Sequence, residues 1–269
     1  MLFHLRSFIY SLIFLAALQM IVFRQLFFEG AVFLALYTLV VVWPLVRKPR
    51  FLSISFFLSL GSVNLAALID QGLEKHLFIL IASLVYYISL VGAYRLKNYR
   101  CDQSAQGMIE ISTLVAAFFW FISIYGWFLN FQVETWWLVV LLTISAFLIN
   151  LPSLFVFVDS CNKLFEKKRE KEKKSTDDVL EIKVPFVKAL FLNLILALVV
   201  GEAAWAAALW PFSYLTTGTI ILIIFYMFRN TISLFIKEDF SLRRIFFGFV
   251  GGMVFIGLLL LTAQWNLIV

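Results

Sequence analysis

Charge is scarce in this chain. Asp, Glu, Lys and Arg make up only 14% of its 269 residues, against about 25% in an ordinary soluble domain. With 63% hydrophobic residues and a mean hydropathy of +0.97, no polar shell could cover a fold in water. A water-soluble globule is therefore excluded, and so are disordered and collagen-like chains. Histidine and cysteine are rarer still, at two residues each. That rules out a disulfide scaffold, and Cys101 and Cys161 form no C-x-x-C pair suited to thiol redox chemistry. No Walker motif, glycine-rich phosphate loop or aspartate cluster for metal-dependent lipid transfer occurs. Ser62 follows Gly61, but no membrane histidine exists to activate it, so an intramembrane serine protease fails. The expectation is a chain without metal or cofactor, from which most familiar enzyme classes have been removed.

What is abundant is apolar sequence in long runs. A helix needs about 20 residues to cross a hydrocarbon core of about 30 Å. Nine segments approach that length: Phe8–Phe28, Ala31–Val46, Phe51–Ile69, Leu77–Tyr94, Met108–Phe131, Trp136–Val158, Pro185–Leu209, Ser213–Ile236 and Ile245–Trp265. The fold class is an all-α polytopic bundle of about nine spans forming one integral membrane domain over 1–269. Transmembrane β-strands would be shorter and would alternate in polarity. The stretch from Phe8 to Val46 is too long for one helix, which predicts two helices meeting at Glu29-Gly30, the second short and either little tilted or packed away from lipid. Arg6 before an apolar run reads as an uncleaved signal anchor, because no small-x-small cleavage site closes it.

Basic residues set the orientation. With the N-terminus inside, alternation of nine spans puts 20 of the 22 Lys and Arg residues on the inner side, leaving only Arg24 and Lys75 outside. Trp127, Trp136, Trp137, Trp210 and Trp265 then fall near outer ends and Trp43 near an inner one, as amphipathic rings prefer. The expected topology is N-inside and C-outside, with Val269 on the outer face. It puts His4 and His76 on opposite sides, which excludes a bis-histidine haem or zinc site, and both cysteines in the reducing interior. Lys188 lies within a turn of the inner end and is expected to snorkel, so it does not suit a retinal site. The net charge of +6 is accounted for by anchoring against anionic headgroups and does not indicate nucleic-acid binding.

The one sizeable polar segment, 159–184, is a charged cytoplasmic linker between spans six and seven. Its run from Lys167 to Lys174 suggests that the sixth helix continues two or three turns past the membrane, helped by the i,i+4 pair Glu170–Lys174. Ser175-Thr176-Asp177-Asp178 reads as a stop with a capping box, and Pro185 suits the first turn of the next helix. Lys167, Lys168 and Arg169 are a candidate site for anionic lipid; the alternative is a solvated linker that enforces topology.

Charged groups in hydrocarbon are costly and therefore functional candidates. Glu202 lies among the small residues of Gly201-Glu202-Ala203-Ala204, about two turns below the outer surface, and Trp205 shares its face. It reads as a proton-coupling carboxyl, as an anchor for a cationic or hydroxylated substrate, or as a glutamic acid bonded to a neighbouring helix. Asn193 is nine residues before Glu202 and diverges from it by about 180°, so the two do not line one narrow cavity. Arg229 and Asn230 lie nearly two turns above the inner end of the eighth span, and Glu110 lies at similar depth in the fifth. A Glu110–Arg229 pair and a snorkelling Arg229 are both open. Gln19, Asn64, Asn150, Asn193 and Gln264 complete the expected buried polar set, as interhelical hydrogen-bonding amides. Pro152 predicts a kink, and Gly248-x-x-x-Gly252 a smooth face, packed on an alanine-rich helix or, as the alternative, forming a homodimer seam. No internal repeat of the kind found in transporters is evident.

Glu202-x-x-Trp205, Trp210-Pro211-Phe212 and Thr262-Ala263-x-Trp265 form a pattern over about 195–269. It resembles an uncharacterised family of polytopic inner-membrane proteins from small-genome bacteria. The resemblance implies a multi-pass inner-membrane location and carries no known activity. Taken together, the sequence favours a non-enzymatic binding or assembly component in contact with lipid and with an unidentified membrane protein partner. The alternative is a small transporter or lipid-handling protein with an outward-facing cavity near Glu202. A polyprenyl transferase would need clustered polar side chains at an interface, which the sequence does not supply.

Overall fold

The structure, a computed structural model, describes residues 2–46, 51–70, 72–99, 102–172, 186–236 and 241–263. Among them every regular element is helical: α1 Leu2–Arg24, α2 Phe27–Tyr37, a π-helical segment Thr38–Val42, α3 Trp43–Val46, α4 Leu52–Leu68, α5 Gly72–Asn98, α6 Gln103–Phe131, α7 Thr135–Glu172, α8 Phe186–Ala207, α9 Tyr214–Ile236 and α10 Leu242–Thr262. Seven of these (α1 and α5 to α10) are long and apolar enough to cross a membrane, while the apolar helices over Phe27–Val40 and Leu52–Leu68 are shorter.

The first turn falls earlier than the glycine suggested. Gln25 takes φ 55°, and the Leu26 and Gln25 amides donate to the Ile21 and Val22 carbonyls at 3.2 and 3.4 Å. This is the Schellman closure, made by a residue other than glycine. Gly30 serves packing instead, since a Cβ there would collide with the Ile21 side chain across the hairpin. The expected helix over Ala31–Val46 is interrupted by the π segment. That segment immediately precedes α3, where Pro44 has no N–H to continue the ladder.

The short helix withdrawn from the surface is α4, not α2. Twelve of the 17 residues of α4 are buried, whereas α2 presents Phe28, Val32, Phe33 and Leu36 outward. At about 26 Å α4 is shorter than the hydrocarbon core, and protein rather than lipid surrounds it. It lies against α6 with almost no gap: a Cβ on Gly61 would stand 3.0–3.1 Å from the Phe119 Cβ and backbone and the Trp120 nitrogen. Ser123 Oγ donates to the Gly61 carbonyl at 3.1 Å across that crossing.

The hub of the bundle is α6. One apolar cluster joins it to α1, α2, α4 and α5 through residues such as Phe14, Leu58, Tyr86 and Phe119, and Phe14 stacks on Tyr86 at 4.3 Å. A second joins it to α7, α8 and α9 through Phe121, Leu142, Leu196 and Phe225. Small residues set the crossings, as expected where lipid removes any hydrophobic drive between helices. Gly201 faces Thr143 of α7, and Gly218 faces the Ile122 backbone of α6. Hydroxyls tie the helices: Ser11 Oγ donates to the Ser83 carbonyl, Thr38 and Ser59 hydroxyls meet, each at 2.8 Å, and the Tyr125 hydroxyl donates to the Ala204 carbonyl at 2.7 Å.

Three further expectations are corrected by the packing. Gln19 is exposed, not part of the buried polar set. α10 has no buried residue and packs on α9 rather than on the alanine-rich α8; Gly252 meets Met227 there, and Phe249 meets Phe228. α7 runs 14 residues past Val158, about four turns rather than two or three, to Glu172. Ser175–Asp178, Pro185, Gln264, Trp265, Val269 and Cys101 lie outside the described residues, as do the side chains of His4, Cys161, Lys167, Lys168 and Arg169.

Candidate functional site

Two helices carry polar side chains at the same helical spacing. On α7 they are Asn150 and Ser153, followed by Phe157; on α9 they are Tyr226, Arg229, Asn230 and Ser233. Steps of three and four residues align each set on one helix face. The two stripes, together with Glu110 of α6, line a cavity of about 120 Å³, closed off further by Leu154, Ile232 and Ile236. Arg229 lies seven residues before the end of α9, and Glu110 seven residues after the start of α6. Each is therefore about 10 Å along its helix, at one level near the same end of the bundle.

Arg229 reaches across to α7, where its Nη2 donates to Ser153 Oγ at 2.7 Å. Glu110 lies close enough to act on the guanidinium electrostatically, although the two form no direct ion pair. Of the alternatives left by the sequence, both charges share one polar cavity, and Arg229 is held by a neighbouring helix rather than turned outward alone. Lys188, expected to snorkel, places its ammonium 4.8 Å from the Phe235 ring centre, a cation–π contact between α8 and α9.

Behind the cavity wall is a buried amide relay. Asn193 is fully buried on α8, and its Nδ2 donates to the Phe147 carbonyl at 3.0 Å. That leaves Asn193 Oδ1 facing α7, where Asn150 Nδ2 donates to it at 2.7 Å. The orientation of both amides follows from this chain, because flipping either would set oxygen against oxygen. Asn150 Oδ1 is then left buried with no partner among the described residues, while the residue itself contributes to the cavity lining. A buried acceptor of this kind costs roughly 1–3 kcal/mol unless a donor reaches it.

The candidates named by sequence divide between two places. Glu110 and Arg229 come together at the cavity, and Asn193 supports it through Asn150. Glu202 and Trp205 do not join them. Both are exposed on the outward side of α8, Trp205 by 58%, and Asn193 occupies the opposite, buried face, as the 180° divergence requires. Ser153, Tyr226 and Ser233 were not singled out. The signal that could have found them is the matched three- and four-residue spacing of polar groups in α7 and α9. Among the described residues no three His, Cys, Asp or Glu side chains gather as a metal site would need.

Comparison of this chain with protein families, curated proteins and solved structures found no match.

Proposed function

We propose that this chain is a multi-pass inner-membrane protein that works without catalysis, as a binding component holding a polar ligand in the cavity between α6, α7 and α9. In this reading nine spans cross the bilayer with the basic loops inside, α2 through α3 and α4 being the short members. The family resemblance of residues 195–269 supports the bacterial inner membrane as its location. The observation that carries the binding role is Arg229. It is a cation set among apolar helices with five N–H donors, and among the described residues it uses one of them on protein, at Ser153, while facing a cavity. An intramembrane cation so placed marks a ligand or ion site. Among the described residues no hydroxyl of the cavity is hydrogen-bonded to the Glu110 carboxylate as a nucleophile would be to its base, which favours holding over turnover.

The test is retention. Full-length protein purified in mild detergent, then denatured and extracted, should release about one equivalent of a polar small molecule or lipid. Arg229→Gln should release less than a tenth as much while eluting as the same species. Equal release from both proteins, or conversion of a lipid by the purified wild type, would overturn the proposal.

A further inference from the structure

The groups around the cavity restrict what it can hold. A simple anion would satisfy Arg229 but meet the Glu110 carboxylate in the same space. A simple cation would meet the reverse problem. A neutral polyol would leave the Arg229 guanidinium with only Ser153 and the field of Glu110 to offset its burial. A ligand that completes both groups brings an oxyanion for Arg229 and a positive donor for Glu110. One further group agrees. Ser153 accepts from Arg229, so its own proton is left to donate to an oxyanion.

Size narrows the choice. About 120 Å³ is well below the several hundred Å³ of a drug-sized pocket. One headgroup fits, and anything attached to it must remain outside. Depth agrees. α6 has 29 residues and measures about 43 Å, the thickness of a bilayer with its headgroups. A site about 10 Å from its end lies just inside the hydrocarbon boundary, within reach of a headgroup.

Building on the reading of the cavity as a binding site, we propose that it takes a phosphoryl–ammonium zwitterion of the ethanolamine phosphate type. The phosphoryl oxygens lie on Arg229 and Ser153, and the primary ammonium, with three donors, serves the Glu110 carboxylate. The same group is found on a membrane lipid and on a free metabolite, and the experiment separates the two.

Full-length protein in phosphatidylcholine nanodiscs doped with either dioleoyl-phosphatidylethanolamine or dioleoyl-phosphatidylglycerol is released for native mass spectrometry, and retained lipids are counted. Calorimetry with free O-phosphoethanolamine and with inorganic phosphate forms the second arm. Phosphatidylethanolamine should be retained about tenfold over phosphatidylglycerol and over phosphatidylcholine, whose quaternary ammonium has no N–H. Glu110→Gln, at an exposed position, should bring the ratio over phosphatidylglycerol close to one. Arg229→Gln should abolish retention, and Arg229→Lys should keep part of it, separating lost charge from lost fold. Binding of the lipid alone assigns the headgroup as source, and binding of free O-phosphoethanolamine assigns the metabolite; either supports the zwitterion. Retention of phosphatidylglycerol or binding of inorganic phosphate as tight as that of the zwitterion, or an unchanged ratio in Glu110→Gln, overturns the ligand class and leaves the binding role standing. No retained lipid and no heat in either arm overturns both.

Discussion

Asn193→Leu tests the amide relay on which the cavity wall depends. Leucine keeps the heavy-atom count and branched outline of the side chain, with somewhat bulkier methyls, but removes two hydrogen bonds, to the Phe147 carbonyl at 3.0 Å and from Asn150 Nδ2 at 2.7 Å. Interhelical bonds in membranes contribute about 0.6 kcal/mol each on average and at most about 1.7. Loss of the pair alone thus costs about 1–3 kcal/mol. The Asn150 amide, whose oxygen already lacks a partner, would then be buried with neither end satisfied, adding about 1–3 kcal/mol. The expected loss is about 3 kcal/mol in total. Removing the second amide as well should recover part of it, because replacing both partners by apolar groups abolishes the unsatisfied site. Reversible unfolding in mixed micelles of the wild type, Asn150→Leu, Asn193→Leu and the double variant yields the coupling directly. A coupling of about 1–2 kcal/mol is expected, with the double variant at least as stable as Asn193→Leu. A coupling of zero would refute the relay and, with it, the assigned orientation of Asn150 Oδ1.

Glycine substitutions should separate close crossings from open faces. Gly61→Ala should destabilise by about 1–3 kcal/mol, because the neighbouring Phe119 and Trp120 atoms at 3.0–3.1 Å include backbone that cannot swing aside. Gly251→Ala meets nothing within 4 Å and should be neutral or stabilise by up to about 1 kcal/mol through helix propensity; thermal melts in one detergent compare them. Asp102→Ala removes both the cap on the Ser104 and Ala105 amides and the 2.6 Å pair with Arg95. It should cost about 1–2 kcal/mol, and Asp102→Asn, which keeps an acceptor for the cap, less than half of that. Cysteines placed at Ser104 and Glu134, beside opposite ends of α6, should react with impermeant maleimide from opposite sides, Ser104 from within. Labelling of both from one side would remove α6 as a span.

Helices were legible wherever apolar residues ran long, and the structure has a helix over every such run it describes. The turn at Gln25 was not, because a hydrogen-bonding pattern rather than a glycine closes α1. Nor was the burial of α4, although Ser53, Ser55, Ser59, Ser62 and Asn64 make it rich in small polar groups; its packing against α1, α2, α5, α6 and α7 is what withdraws it from the surface. For the site, Glu110 and Arg229 stood out by charge alone. Glu202 stood out equally, yet its helix turns it outward.

Solvent preference is a property of composition and of local order, so the amino-acid sequence alone settles that this chain is helical and rich in segments able to enter a bilayer. Adjacency is not local. Arg229 meets Ser153 across 76 positions and Asn150 meets Asn193 across 43, and only the packing of α6, α7, α8 and α9 on one another brings them together. Identical polar residues on the outward faces of those helices would have made no cavity. What turned a scatter of polar groups into a candidate binding site was the rotation of each helix about its axis, which the close approach of glycines and hydroxyls decides.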